Sequence, residues 1–305
     1  MIRIQHILCP IDFSDVSRHA LDHALAMARW YKARVTVLHA HQIPMPAYPA
    51  PYIGPETLEP LVMTDVERRE LEDHLEEYVA GDRASSGVDI GTVLDEAPNV
   101  ASAILRYASS DRVDLITIGT HGRSGFDRLV LGSVAEKVLR KSCCPVMTVP
   151  PRVTDAVPRQ LASLERIVCA VDFSTSSARA LAYAAGLAEQ SGARLTVLHV
   201  VEIPTGPAAL TGLEEFRAAL FHDARCQLTE AIAATVPKGM AVDELLLAGR
   251  SHREILCVAA EQDAALIVLG VQGRGAIDMA FFGSTTHHVV REATCPVLTL
   301  RARSK

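Results

Sequence analysis

Two spans of the chain put glycines, a guanidinium and a hydroxyl at one shared spacing. The first carries Gly119, Gly122, Arg123, Gly132 and Ser133, with nine residues between Gly122 and Gly132; the second repeats it as Gly270, Gly273, Arg274, Gly283 and Ser284. Glycine allows a tight turn off a buried strand and leaves room for an anion against the main chain. Amides at the start of a following helix have no intrahelical acceptor and attract negative charge. Ser133 and Ser284 can therefore cap that helix or donate to a phosphate. Arg123 and Arg274 can balance a polyphosphate or stay solvated at the rim. Thr285 and Thr286 add hydroxyls in the second span, in positions that also suit ordinary helix starts.

An acidic residue recurs upstream of each span. Asp12 ends "CPID" and Asp172 ends "CAVD", each followed by Phe-Ser. A carboxylate at a strand end can accept hydrogen bonds from ribose hydroxyls or hold a metal that accompanies phosphates. The plainer role is local capping of the next helix. Neither usual nucleotide fingerprint is present: no G-x-G-x-x-G follows the first strand, and the later loop lacks the Lys-Ser/Thr ending of a P-loop. Aspartate, spaced glycines and helix-start serine, repeated together, make the stronger pattern.

The elements that must position these residues are duplicated. Cys9, Asp12, Ser14, Ala20 and Leu21 return as Cys169, Asp172, Ser174, Ala180 and Leu181, and "ARVTVLHA" returns as "ARLTVLHV". Each copy alternates short apolar strands with longer helical patterns. Strands are expected at Ile4–Ile11, Val35–Ala40, Val88–Val93, Leu115–Gly119 and Val146–Val149, then near 167–171, 195–200, 242–247, 266–270 and 297–300. Helices are expected in the first copy near 17–31, 64–79, 100–109 and 133–141. That order predicts a mostly parallel sheet with helices on both faces and ligands along the rim of strand ends. The domains are read as 1–150 and 165–305, joined by a linker at 151–164. The last strand of each copy is a candidate pairing edge, since an exposed apolar edge invites association.

Composition narrows the class. The 305 residues are 49% hydrophobic, enough for two cores, and the net charge of -6 gives no general attraction to nucleic acid. No apolar run reaches the roughly 20 residues of a membrane span, and the start does not read as a secretion signal, so the expectation is a cytoplasmic protein without a membrane partner. The seven cysteines lack a disulfide-rich spacing and are read as reduced, structural thiols.

These motifs together resemble the universal stress protein family in its tandem form. The resemblance rests on "ILCPIDFSDVSRHAL", "GTHGRSGFDRLVLGS" and "CPVMTV" in one copy and "IVCAVDFSTSSARAL", "GVQGRGAIDMAFFGS" and "CPVLTL" in the other. It implies an α/β, doubly wound, Rossmann-like architecture with two open, mostly parallel five-stranded sheets that pair through their last strands. It also implies ATP or another adenine nucleotide as ligand, with Mg accompanying the polyphosphate. By the same resemblance Asp12 or Asp172 lies beside the nucleoside, and the backbone at Ala40 or Val200 lies near adenine. One difference separates the copies: "LLLAGRSHREIL" keeps Gly249 after the third strand, whereas the first copy has Glu96 and Pro98 there. The second site is therefore expected to be the tighter one.

Other polar residues support no dedicated catalysis. His121 in the first loop is matched by Gln272, and no repeated histidine accompanies Asp127 and Asp278. His39 and His199 are expected to form hydrogen bonds, and the adjacent His287 and His288 are not expected to chelate a metal. Two helical segments with mixed charge, "TDVERRELEDHLEEYV" and "LEEFRAALFHDARCQLTEAIAATV", read as sheet-covering helices. The leading expectation is an adenine-nucleotide-binding regulatory protein. A nucleotide-independent interaction scaffold and a slow magnesium-dependent ATPase are the alternatives. Paired domains, a homo-dimer and a regulatory protein are the partners considered.

Overall fold

A computed structural model describes residues 2–43, 63–120, 131–151, 164–202, 213–271 and 283–302. In the first repeat the order is β1 (His6–Ile11), α1 (Asp15–Tyr31), β2 (Arg34–Gln42), α2 (Asp65–Ser85), β3 (Ile90–Ala97), α3 (Val100–Ser110), β4 (Leu115–Gly119), α4 (Ser133–Lys141) and β5 (Val146–Val149). The second repeats it with β6 (Arg166–Ala170), α5 (Thr175–Ser191), β7 (Arg194–Val201), α6 (Leu213–Thr235), β8 (Val242–Ala248), α7 (Ser251–Glu261), β9 (Leu266–Gly270), α8 (Ser284–Glu292) and β10 (Val297–Leu300).

The expectation of two separate five-stranded sheets is corrected. One ten-stranded sheet runs β3-β2-β1-β4-β5-β10-β9-β6-β7-β8. Pairing is parallel within each repeat, and the halves join where β10 lies antiparallel to β5, with Val297 opposite Thr148 and Leu298 opposite Met147. This junction removes two apolar edges at once, because every residue of β5 and β10 is buried. The hydroxyl of Thr148 donates to the Val297 carbonyl at 3.2 Å and that of Thr299 to the Val146 carbonyl at 3.1 Å.

Side chains alternate across the pleat, so the two sheet faces feed two cores. Ile7, Cys9 and Ile11 pack with α1, α2, α5 and α6 on one face, whereas Leu8 joins α3, α4, α7 and α8 on the other. Both cores run through both repeats. Further contacts cross between the halves: the Tyr31 hydroxyl donates to Gln190 Oε1 at 2.8 Å, and Gln190 Nε2 donates to the Ile2 carbonyl at 3.0 Å.

The first turn of α1 is set by the residues nearest the candidate site. Ser14 caps α1 and Ser174 caps α5, each accepting from an amide three residues on. Phe13 and Phe173 precede these caps with φ near 62° and 61°. That backbone is uncommon for a side chain with a Cβ, and it is held by local bonds: the Ser14 amide donates to Asp12 Oδ1 and the Ser174 amide to Asp172 Oδ1, both at 3.1 Å.

Candidate functional site

Each repeat has a cleft where the C-terminal ends of its first and fourth strands meet the starts of two helices. The first is lined by Asp12, Ser17, Ile104, Gly119, Gly132 and Ser133, among others, and encloses about 200 Å³. The second is lined by Asp172, Ser177, Ile255, Gly270, Gly283 and Ser284, also among others, and encloses about 190 Å³. The duplicated sequence thus produces duplicated concavities. Thr285 and Val200 also line the second, whereas Ala40 is buried at the corresponding strand position and does not line the first. Gly122, Arg123, Gly273 and Arg274 lie outside the described residues, as do His121, Asp127, Gln272 and Asp278.

The helices that end on these clefts differ in their capping. In α1, α3 and α5 a Ser or Asn side chain satisfies a first-turn amide. At α4 and α8 the N-cap is Gly132 or Gly283, which has no side chain to accept from a first-turn amide. Ser133 and Ser284 are the first helical residues instead, so of the two roles open to them the N-cap position falls to the preceding glycine. First-turn amides have no intrahelical acceptor, and the first residues of both helices line the clefts.

The first glycine of each set answers to packing. A Cβ on Gly119 would stand 2.8 Å from Val16 Cγ1, and one on Gly270 only 2.7 Å from the Ser177 backbone nitrogen. These glycines let the strand end approach the first turn of α1 or α5. Gly283 is less crowded by the described residues, of which the nearest to a Cβ there, the Val271 carbonyl oxygen, stands at 3.3 Å.

Asp12 and Asp172 have the local role that competed with ligand contact. The Ser14 hydroxyl donates to Asp12 Oδ1 at 2.5 Å, in addition to the Ser14 amide. The carboxylates still line the clefts, so they organise the turn and face the cavity together. Behind them, His39 Nδ1 lies 3.0 Å from the Ile11 carbonyl and His199 Nδ1 2.7 Å from the Val171 carbonyl. A carbonyl can only accept, so each Nδ1 carries a proton. Phe13 and Phe173 pack against these rings at 4.7 and 4.3 Å.

Sequence reasoning passed over Ser17, Ser177 and Ser251. Ser17 and Ser177 recur at matching positions in "DFSDVS" and "DFSTSS", a signal that was available. Ser251 has no such signal. Its amide and hydroxyl donate to Glu202 at 3.0 and 2.7 Å, holding that carboxyl below its ordinary range and fixing the first turn of α7 against the end of β7.

Glu96, one of the two residues that set the first copy apart, does not line the first cleft. It pairs with Arg68 of α2, whereas the cleft is walled by α3 and α4 on the other face of the sheet. Gly249 adopts a φ of 155°, and a Cβ there would meet Glu254 Oε1 at 2.4 Å. The glycine accommodates the Glu254 side chain, and the two clefts have nearly equal volumes.

The fold and its paired clefts define a tandem, doubly wound α/β protein. The universal stress protein family model matches residues 3–150 and 163–301, and the chain belongs to that family. A universal stress protein of Thermus aquaticus is 40% identical over 136 residues, covering 44% of this chain and 97% of that relative. One of Mycolicibacterium smegmatis is 24% identical over 299 residues and 97% of both chains. Among solved structures, a universal stress protein of Archaeoglobus fulgidus aligns over 98% of this chain and 97% of that one, with a TM-score of 0.67 and 24% identity. A functionally unknown Pseudomonas aeruginosa protein aligns over 98% and 93%, with a TM-score of 0.69 and 17% identity. Both structures share the fold across both repeats.

Proposed function

We propose that this protein is an adenine-nucleotide-binding regulatory protein of the stress-response family, with ATP as the leading ligand and its phosphates held at the starts of α4 and α8. The observation that carries the reading is the repeated pairing of a cleft with a helix start whose N-cap is a glycine, beside a strand-end aspartate. Amides of the first turns would receive phosphate oxygens, with Ser133, Ser284 and Thr285 adding hydroxyl donors. Asp12 and Asp172 would accept from the ribose, and the main chain at Ala40 and Val200 would face adenine. Gly122, Arg123, Gly273 and Arg274 would complete each cradle.

Among the described residues no three His, Cys, Asp or Glu side chains converge as a metal site. Magnesium would arrive on the nucleotide, held chiefly by phosphate oxygens. Among those residues, too, no helix is long and apolar enough to cross a membrane. The two repeats act as one regulatory unit, 1–150 and 165–305, in this reading.

Calorimetric titration of nucleotide-stripped protein with ATP, ADP, AMP and GTP, with and without magnesium, tests the proposal. Saturable ATP binding that Gly283→Val and Asp172→Ala both weaken is the expected result. Absence of uptake of every adenine nucleotide favours the scaffold reading, and multiple-turnover phosphate release favours the ATPase.

A further inference from the structure

The two clefts share their lining but differ in what backs the helix starts. Behind the second, His252 follows Ser251 on α7, and His288 lies one turn beyond Ser284 on α8. Their rings stack at 4.6 Å between centroids and 26° between planes. Ser251, Ser284 and Thr285 line the cleft, so the stacked pair ties together the two helix turns that face a ligand there. The matching positions of the first repeat are Ala101 and Lys137, which offer no imidazole.

We propose that the His252–His288 pair couples phosphate binding in the second cleft to uptake of one proton, making that cleft, and not the first, an anion site strengthened by acid. The inference rests on the nucleotide reading and adds a regulatory input to it. His288 Nδ1 lies 2.7 Å from the Ser284 carbonyl. That nitrogen must donate, so an added proton goes to Nε2. The same bond ties the ring to the first residue of the anion-facing turn.

The groups around the pair set the direction of the effect. His252 faces His288 and Glu292 from α8 and Glu202 from the end of β7, with Arg250 and Arg253 on its own segment. His288 has His287 and Glu292 on its own helix. Burial, then the neighbouring His288, holds His252 below its ordinary pKa. His252 is therefore reluctant to take a proton in the free protein. Phosphate at the start of α8 lowers that reluctance, since negative charge nearby favours the imidazolium. Linkage requires the reciprocal effect: affinity rises as the pH falls toward the free-state pKa and is weakest above the bound-state pKa. A rise of about one pKa unit on binding corresponds to about a tenfold change in affinity.

Imidazole Cε1–H resonances of the full chain, followed between about pH 5.5 and about pH 8.5 with no ligand, with ATP and with adenosine, test this coupling. Resonances are assigned with His252→Ala and His288→Lys, which install the side chains of the first repeat. With ATP the midpoint of His252 is expected to rise by about one unit, and with adenosine it stays in place. His252→Ala flattens the pH dependence of second-site affinity relative to wild type, and His288→Lys replaces it with a fixed charge whose effect does not titrate. Comparison with the variants cancels the titration of the nucleotide's own phosphate. If ATP shifts the amides of Val200 and Ser284 while the imidazole midpoints stay unchanged, the coupling is overturned and the nucleotide reading stands. If ATP shifts nothing at any pH, the nucleotide reading falls first.

Discussion

Gly119 and Gly270 occupy the same position in the two repeats, yet alanine should cost them different amounts. At Gly270 a Cβ would stand 2.7 Å from the Ser177 nitrogen and 2.8 Å from the Ser176 carbonyl carbon, both backbone atoms in the first turn of α5. Relief requires α5 to move as a unit against β9, and such overpacking costs about 1–3 kcal/mol. At Gly119 the close contact is Val16 Cγ1 at 2.8 Å, the tip of a side chain, and the nearest backbone atom is 3.4 Å away. Rotation of Val16 relieves it, so Gly119→Ala should stay within about 1 kcal/mol. For a repeat unfolding cooperatively, Gly270→Ala lowers Tm by roughly 2–12 °C. Differential scanning calorimetry of both variants beside wild type reads the difference. Equal losses, or a larger loss for Gly119→Ala, would refute the assignment of these glycines to close approach of helix and strand.

Native-state thiol titration should find Cys143 and Cys226 reactive, Cys257 slower because its thiol donates to Glu261 Oε1 at 3.2 Å and that carboxylate raises its pKa, and Cys9, Cys144, Cys169 and Cys295 slow until unfolding. The first three are exposed, whereas burial holds Cys9 and Cys169 protonated and pushes Cys144 and Cys295 up to about 12. Thr148→Val and Thr299→Val each remove one hydroxyl bond across the junction between the repeats and should each cost about 1 kcal/mol in urea unfolding. Burial lowers the His6 pKa from 6.5, while Nε2 contacts Thr36 Oγ1 at 2.8 Å. The unfolded chain binds that proton more readily, so the contribution of neutral His6 is complete above pH 6.5 and is lost as pH falls through the folded pKa. Unfolding free energies of wild type and His6→Asn, measured from neutral to acid pH, should converge on acidification.

Most strands were legible because parallel strands buried on both faces leave continuous apolar runs. Leu115–Gly119 and Val146–Val149 were read with the boundaries they have. The edge strand β3 was read too early and too short. It extends to Ala97 through Asp95 and Glu96, whose charges are met by Arg106 and Arg68 from helices on opposite faces. Local polarity argues against a strand there, and only the tertiary partners reverse it. Helix α2 likewise runs past Gly81 to Ser85, since nothing lies within 4 Å of a Cβ at Gly81 and the helix loses only propensity there. The merging of two sheets into one had a partial signal in the apolar terminal strands. Their antiparallel sense was not legible, because it depends on how two complete halves meet.

The candidate site shows a sharper limit, because one residue type serves several physical ends. A glycine before a loop reads identically whether it admits a ligand, a neighbouring backbone or a helix start. At Gly270 the Cβ direction is filled by α5, at Gly249 by the Glu254 side chain, and at Gly283 it meets the described residues less closely, beside a helix start whose N-cap is the glycine itself. Spacing located all three without distinguishing them. Gly283 is consequently the best of the three for probing anion binding. Substitution at Gly270 disturbs the wall that carries Asp172, whereas among the described residues Gly283→Ala meets the Val271 carbonyl at 3.3 Å and, farther off, the Thr286 hydroxyl at 3.9 Å. An affinity loss at Gly283 with unchanged thermal stability would report on the cradle itself. The same loss at Gly270 would report on α5.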